Sequence, residues 1–197
     1  MQFTTFALAA LSLGSAIATP IVGFKPFDQA VVAVANAKTV VQEQVASINV
    51  LLKGTPTDET VTKIQKSLVT VGAQVNGLHE IVLALGDFGS TPLSDAQLAK
   101  IPEFAENYKG IFIGIEAIGK KVTSSGLNVD VIAQVKPELQ WVLSTASPIA
   151  RPILAFVQVA AAVDVKLFTP VTTVLVNIQS LITLVIGPLS GLKVTLA

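Results

Sequence analysis

Between Val61 and Leu85 the apolar positions Val61, Ile64, Leu68, Val71, Val75, Leu78, Val82 and Leu85 alternate spacings of three and four. That pattern draws one apolar stripe along an α-helix of about 28 residues, roughly 42 Å long, with Lys63, Lys66, Thr70 and Gln74 on other faces. A strand would alternate with period two, which this stretch does not. Upstream, Val34, Val41, Val45, Ile48 and Leu52 share a less regular helical face, with Asp28 as the expected N-cap. Gly54-Thr55-Pro56 ends that helix, and Thr57, Asp58 and Glu59 supply acceptors and negative charge at the start of the next.

The next break is Gly86-Asp87-Phe88-Gly89-Ser90-Thr91-Pro92. Ser94 and Gln97 then read as a capping box, with Leu93 and Leu98 in the hydrophobic-staple positions. A third helix turns Leu98, Ile101, Ala105, Tyr108, Phe112, Ile115, Ile118 and Val122 inward. Glu103 and Glu106 lie early in it and Lys120 and Lys121 late, which complements the helix dipole, while Pro102 kinks its first turns or marks a later start. After Thr123-Ser124-Ser125-Gly126 a shorter helix is expected from about Val129 to Leu143. Ser147-Pro148 and Thr169-Pro170 each read as an N-cap followed by Pro at N1, which opens two more helices. The pattern predicts an all-α, antiparallel helical bundle of about five to six helices, without internal repeat or interdomain linker.

The two ends of the chain differ from this middle. Residues 1–18 hold an apolar run from Phe6 to Leu13 and close on Ala16-Ile17-Ala18, the pattern of a secretory signal peptide. A secreted, extracellular protein is expected, with residues 19–197 as its single helical domain; the run is too short for a membrane span of about 20 residues. At the other end, residues 146–197 contain only four charged residues, Arg151, Asp164, Lys166 and Lys193. The helix expected from Pro170 to Ile186 is apolar on more than one face, so it is central to the bundle or faces apolar matter outside it. A membrane span over Pro170–Leu189 is the weaker alternative, because Thr172, Thr173, Asn177, Gln179, Ser180 and Thr183 make it polar.

Composition narrows the chemistry. The 197 residues are 51% hydrophobic and only 13% charged, with 13 basic residues against 13 acidic ones. Ordinary domains run nearer 25% charged, and a neutral, charge-poor surface does not predict nucleic-acid binding. No cysteine is present and His79 is the one histidine, which excludes thiolate catalysis, iron–sulfur clusters and Cys- or His-rich metal sites. His79-Glu80 begins a zinc-protease pattern that fails at Leu83. No nucleophile elbow, dinucleotide loop or phosphate loop occurs, so no catalytic residue, metal or cofactor is assigned and no enzyme activity is expected. Glu59–Lys63 and Glu116–Lys120 are helix-supporting pairs, and Arg151 is expected to pair with Glu138 or Asp164, with a lipid carboxylate at a pocket mouth as the alternative.

Aromatic residues give the better hint. Phe104, Tyr108 and Phe112 recur every four residues, with Trp141 and Phe156 farther along. Such side chains form core, or line an elongated apolar cavity with Tyr108 as its polar handle. Val71, Val75 and Leu78 are the opposite wall, and Ile115 and Leu181 complete the candidate apolar-binding set. Gly110, Gly114 and Gly119 on the same helix as Tyr108 serve close helix approach or leave room for a guest.

The stretches Thr57–Lys121 and Ser124–Leu139, with Pro92–Ala96, Gly119-Lys120-Lys121 and the restart at Gly126, resemble the fungal hydrophobic surface-binding protein A / cell wall galactomannoprotein family over roughly residues 28–185. The resemblance implies a secreted or wall-associated helical protein without catalytic residues. Some such proteins adsorb to hydrophobic solids and help recruit secreted hydrolases; others enclose fatty acids. The chain departs from the family in lacking a Ser/Thr-rich tail and in its very apolar last quarter. The expected function is therefore binding of apolar material, either a fatty acid or other lipid within the bundle or a hydrophobic solid surface. A structural or interaction role in the fungal cell wall, with wall components as partners, is the alternative.

Overall fold

The computed structural model describes residues 26–54, 57–86, 93–124 and 129–163, together with positions 173, 176, 177 and 180. Four long helices and one single turn make up the described chain: α1 (Pro26–Leu51), α2 (Asp58–Gly86), the turn α3 (Asp95–Leu98), α4 (Ile101–Ser124) and α5 (Val129–Val163). The all-α bundle is as expected, with four long helices rather than five or six among the described residues. The signal segment 1–18, the break at 87–92 and Leu181 lie outside those residues, as does the expected helix 170–186 except at positions 173, 176, 177 and 180, which are helical.

The stripes decide the packing. All eight α2 positions from Val61 to Leu85 are buried, as are Ile101, Ala105, Tyr108, Phe112, Ile115, Ile118 and Val122 of α4. On α1, Val34, Val41 and Ile48 are buried and Val45 and Leu52 pack against the core from its edge. Phe27, Ala30, Ala33 and Ala37 are buried as well, so the inner face of α1 begins earlier than the valine pattern indicates. Asp28 is no N-cap: α1 starts two residues before it, at Pro26, where a missing N–H costs nothing.

Asp28 instead holds α3. Its carboxylate accepts from Gln97 Nε2 at 3.0 Å and from Lys100 Nζ at 2.9 Å. The capping box is present: the Gln97 N–H donates to Ser94 Oγ at 3.4 Å and the Ser94 N–H donates to Gln97 Oε1 at 3.2 Å. Pro102 falls in the first turn of α4, where the helix needs no N–H from it.

The expected break near Ser147-Pro148 is absent. The helix α5 runs unbroken through Pro137, Pro148 and Pro152. Each proline removes one helical hydrogen bond, at about 3 kcal/mol in an interior turn. The carbonyls so freed belong to Ala133, Ser144 and Pro148, all exposed positions where water reaches them. Meanwhile Val142, Ala146, Ile149, Ala150, Ile153 and Val157 keep the inner stripe in register and buried, each large one contributing about 2 kcal/mol. Burial outweighs the local preference.

The helices pack as a ring in which α1 touches α2 and α4, and α5 touches α2 and α4. Short connections make α1/α2 and α4/α5 antiparallel. The other two neighbouring pairs run parallel, which departs from the expected all-antiparallel bundle. Along α1 and α4, Asp28 meets Lys100, Lys38 meets Asn107 at 2.9 Å, and Val41 faces Gly114. Along α2 and α5, Gln65 Nε2 donates to the Gln134 carbonyl at 2.8 Å and Trp141 lies over Gly72. The connection through α3 therefore crosses the ring, and α2 and α4 face each other across its diagonal.

Candidate functional site

Val71, Val75 and Leu78 of α2 and Phe104, Tyr108, Phe112 and Ile115 of α4 are each no more than 2% exposed and belong to one apolar core. The two walls expected from the sequence thus come from helices on opposite corners of the ring. Within the α4 wall, Tyr108 and Phe112 meet edge to face with centroids 5.1 Å apart. At the end of the bundle where α1 and α4 begin, Phe27, Phe104 and Phe156 form a cluster with centroids 5.5 to 6.2 Å apart. Each such contact contributes about 0.5–1.5 kcal/mol beyond its buried area. Leu181, the eighth candidate, lies outside the described residues.

The glycines of α4 resolve toward close helix approach. A β-carbon on Gly114 would collide with Val41, and one on Gly110 would lie 3.0 Å from the Lys38 stem. On α2, Gly72 makes room for the ring of Trp141 in the same way. Two hollows are present among the described residues. One, of about 10 Å³, lies between Val122 and Thr123 of α4 and Ile132, Val135, Lys136, Leu139 and Gln140 of α5, and has room for about one water. The other, open and of about 460 Å³, is lined by Asn49, Leu52, Lys53 and Lys121. Neither touches the seven described candidate residues.

One polar atom stands out within the core. The Tyr108 hydroxyl is buried with no hydrogen-bond partner among the described residues. Burial in apolar surroundings pushes its pKa well above the ordinary value near 10, so it remains an O–H donor across the working range of pH. An unmet buried donor costs about 1–3 kcal/mol.

The outer faces carry a second signal. Exposed positions of α4 are mostly charged, with Glu103, Glu106, Lys120 and Lys121 beside Ile113 and Thr123. On α2, Asp58, Glu59, Lys63, Lys66 and Glu80 are exposed, as is His79. The outer faces of α1 and α5 are poorer in charge, and on α1 Glu43 is the one charged exposed position. On α5, from residue 133 to 159, the exposed positions are Ala133, Gln134, Pro137, Gln140, Trp141, Ser144, Pro148, Arg151, Ala155, Gln158 and Val159, and Arg151 alone is charged. Trp141 is 36% exposed and Val159 66%. The two are 18 residues, or five turns, apart and so share one side of the helix. Sequence reading named Trp141 only as a core or cavity aromatic; the absence of charge at period 3.6 was the available sign of an outer face.

Several charged groups pair along their own helix. Lys63–Glu59 and Lys120–Glu116 pair at 2.7 and 2.6 Å as expected, the former lowering the Glu59 pKa through its hydrogen bond and charge. Arg151 does not pair with Glu138, which lies 13 residues or about 20 Å away along the same helix. Among the described residues no three His, Asp or Glu side chains converge as a metal site. By length and composition Asp58–Leu85 and Asp130–Val159 are long and apolar enough to cross a membrane, although the α2 stripe is spent on the bundle core. The chain matches no protein-family model, no curated protein and no solved structure.

Proposed function

We propose that this chain is a non-catalytic, secreted binder of apolar matter that adsorbs to hydrophobic surfaces through the outer face of α5. The observation that carries the reading is the exposed pair Trp141 and Val159 on a face where Arg151 is the one charge among the exposed positions from Ala133 to Val159, in contrast to the charged outer faces of α2 and α4. An apolar solid gives nothing back to a desolvated charge, so a contact face must lack charges more than it must be greasy. Burial of Trp141 illustrates the driving force. The exposed third of a tryptophan is about 90 Å², worth about 2 kcal/mol on transfer from water. The resemblance of residues 28–185 to hydrophobic surface-binding proteins agrees with this reading.

The test is an adsorption isotherm on hydrophobised silica, followed by the loss of far-ultraviolet peptide absorbance from solution, a readout that survives replacement of Trp141, the one tryptophan in the chain. Replacing Trp141 by Ser is expected to weaken adsorption roughly thirtyfold. The pair Ala133→Glu and Ala155→Glu, which leaves the core untouched, is expected to abolish it. Unchanged isotherms for both variants would defeat the proposal.

The Tyr108 hydroxyl supports a second reading, in which a fatty acid or other long-chain molecule with a hydrogen-bond acceptor lodges between α2 and α4. Its wall residues are buried in one core and neither described hollow lies between them, so entry requires the helices to separate. Native mass spectrometry of the protein taken from its secretion medium decides this. A discrete excess mass, lost on denaturation and absent from Tyr108→Phe, favours the internal site; an apo monomer favours adsorption. An apo oligomer would instead favour a structural role in the cell wall.

A further inference from the structure

The ring sets α1 and α5 at opposite corners, so their outer faces point away from each other. Both faces are poor in charge, and the charges they keep are opposite. Among the exposed positions of α1 from Val32 to Val50, Glu43 is the one charge; among those of α5 from Trp141 to Val159, it is Arg151. Neither has an ion-pair partner among the described residues. Val32 is 53% exposed and Val50 67%, so each face carries an exposed apolar side chain on either side of its charge.

The spacings match as well. Val32 and Val50 are 18 residues apart, as are Trp141 and Val159, so each pair shares one side of its helix at a separation of about 27 Å. Glu43 follows Val32 by 11 residues and Arg151 follows Trp141 by 10, about 16.5 and 15 Å along the two axes. With the charges aligned and the helices parallel, Trp141 meets Val32 and Val159 meets Val50, each within about 1.5 Å along the axis. In the antiparallel setting both apolar ends miss by about 4.5 Å. Glu43 stands within about 20° of the line joining Val32 and Val50. Arg151 stands about 80° around α5 from its own apolar line, an arc of about 7 Å that its long side chain covers.

We infer that the outer face of α5 docks on the outer face of α1 of a second copy of this chain, with Arg151 against Glu43 and Trp141 and Val159 over Val32 and Val50. Within one copy α5 runs parallel to α2 and so antiparallel to α1. A parallel contact between copies therefore turns each one by half a turn about the stacking direction. Because the two faces lie on opposite corners, the contact is heterologous, leaves one face of each kind open and grows a row rather than closing a dimer. A contact one helix wide and about 27 Å long falls in the class of weak interfaces, below about 1,200 Å² in total. The protein is monomeric at micromolar concentration and assembles toward millimolar. This contact does not rest on adsorption to a solid, although a hydrophobic surface and the next copy compete for the α5 face.

The test is sedimentation equilibrium of the whole chain in solution from about 10 μM to about 1 mM. The weight-average mass is expected to rise with concentration and to pass that of a dimer. Glu43→Arg and Arg151→Glu each set like charges against one another, and each is expected to weaken association at least tenfold. Both positions are exposed, so neither change disturbs the core. Mixed in equal amounts, the two variants again pair opposite charges at every contact, and the mass is expected to recover that of the unaltered protein. A constant monomer mass, a mass that levels off at the dimer, single variants that associate like the unaltered protein, or a mixture that fails to recover would each overturn the inference.

Discussion

Tyr108→Phe is expected to stabilise the protein. The ring is fully buried and keeps its edge-to-face contact with Phe112 in either variant. What changes is one hydroxyl that has left water without gaining a partner among the described residues. Removing it relieves a desolvation cost of about 1–3 kcal/mol. Against this stands the small void left behind, on the order of 10 Å³, which costs about 0.2 kcal/mol. The net gain is about 1 kcal/mol or more, which raises the melting temperature by about 2–4 °C for a chain of this size. Alkaline unfolding supplies an independent readout. The folded-state pKa of Tyr108 is raised, so above pH 10 the unfolded chain releases this proton while the folded chain retains it. Stability from this group is therefore full below the unfolded value and declines above it, by up to about 1.4 kcal/mol per pH unit. The phenylalanine variant lacks that slope. Urea unfolding of both proteins at pH 7 and between pH 10 and 11 measures each effect. A loss of stability in the variant at pH 7 would show that the hydroxyl has a partner and would refute the reasoning.

Gly114→Val should destabilise by about 1–3 kcal/mol in urea unfolding, because its side chain must displace Val41 and push α1 from α4. Gly77→Ala should do the reverse, gaining about 0.5–1 kcal/mol, since nothing lies within 4 Å of the added β-carbon and α2 loses a flexible residue. Asp28→Ala strips the buried Gln97 amide and Lys100 of an acceptor, at about 1–3 kcal/mol. Hydrogen exchange should accelerate at Gln97–Lys100 and leave the middle of α2 unchanged; uniform acceleration would show that the turn is not a local latch.

The parts legible in the sequence were those governed by period and by local hydrogen bonding. Eight α2 positions chosen by spacing alone are the eight that face the core, and Ser94 with Gln97 caps α3 as its residue types demand. Small or long-range determinants were not legible. Ala30, Ala33 and Ala37 are core, yet alanine carries little hydropathic contrast and suits either side of a helix. Ser147-Pro148 has the composition of a helix start, but the continuous buried stripe beyond it overrides that signal. Parallel pairing of α1 with α4 depends on how the chain crosses the ring through α3, which no local pattern records. For the candidate site, spacing correctly sends Val71, Val75, Leu78, Phe104, Tyr108, Phe112 and Ile115 inward. Spacing does not tell whether the interior is filled. Gly114 and Gly110 have the same sequence signature in a wall thinned for a guest and in a seam closed by Val41 and Lys38.

The low charge content then acquires a physical meaning. A helix needs roughly one apolar face to join a bundle, and α2 and α4 stop there, turning lysines and carboxylates outward, whereas α1 exposes Glu43 alone among charged residues. The outer face of α5 saves nothing for folding by holding Arg151 as its one exposed charge between Ala133 and Val159, because the buried stripe of the helix lies on the other side. Three prolines on that helix sharpen the point. They leave the carbonyls of Ala133, Ser144 and Pro148 without helical donors on the exposed side, where only water satisfies them. Contact with a fully dry solid along the whole face would strip that water at a cost of about 1–3 kcal/mol per carbonyl. Adsorption should therefore centre on Trp141 and Val159 and leave the carbonyls between them wetted, so that Val159→Ser weakens adsorption while Ser144→Ala does not.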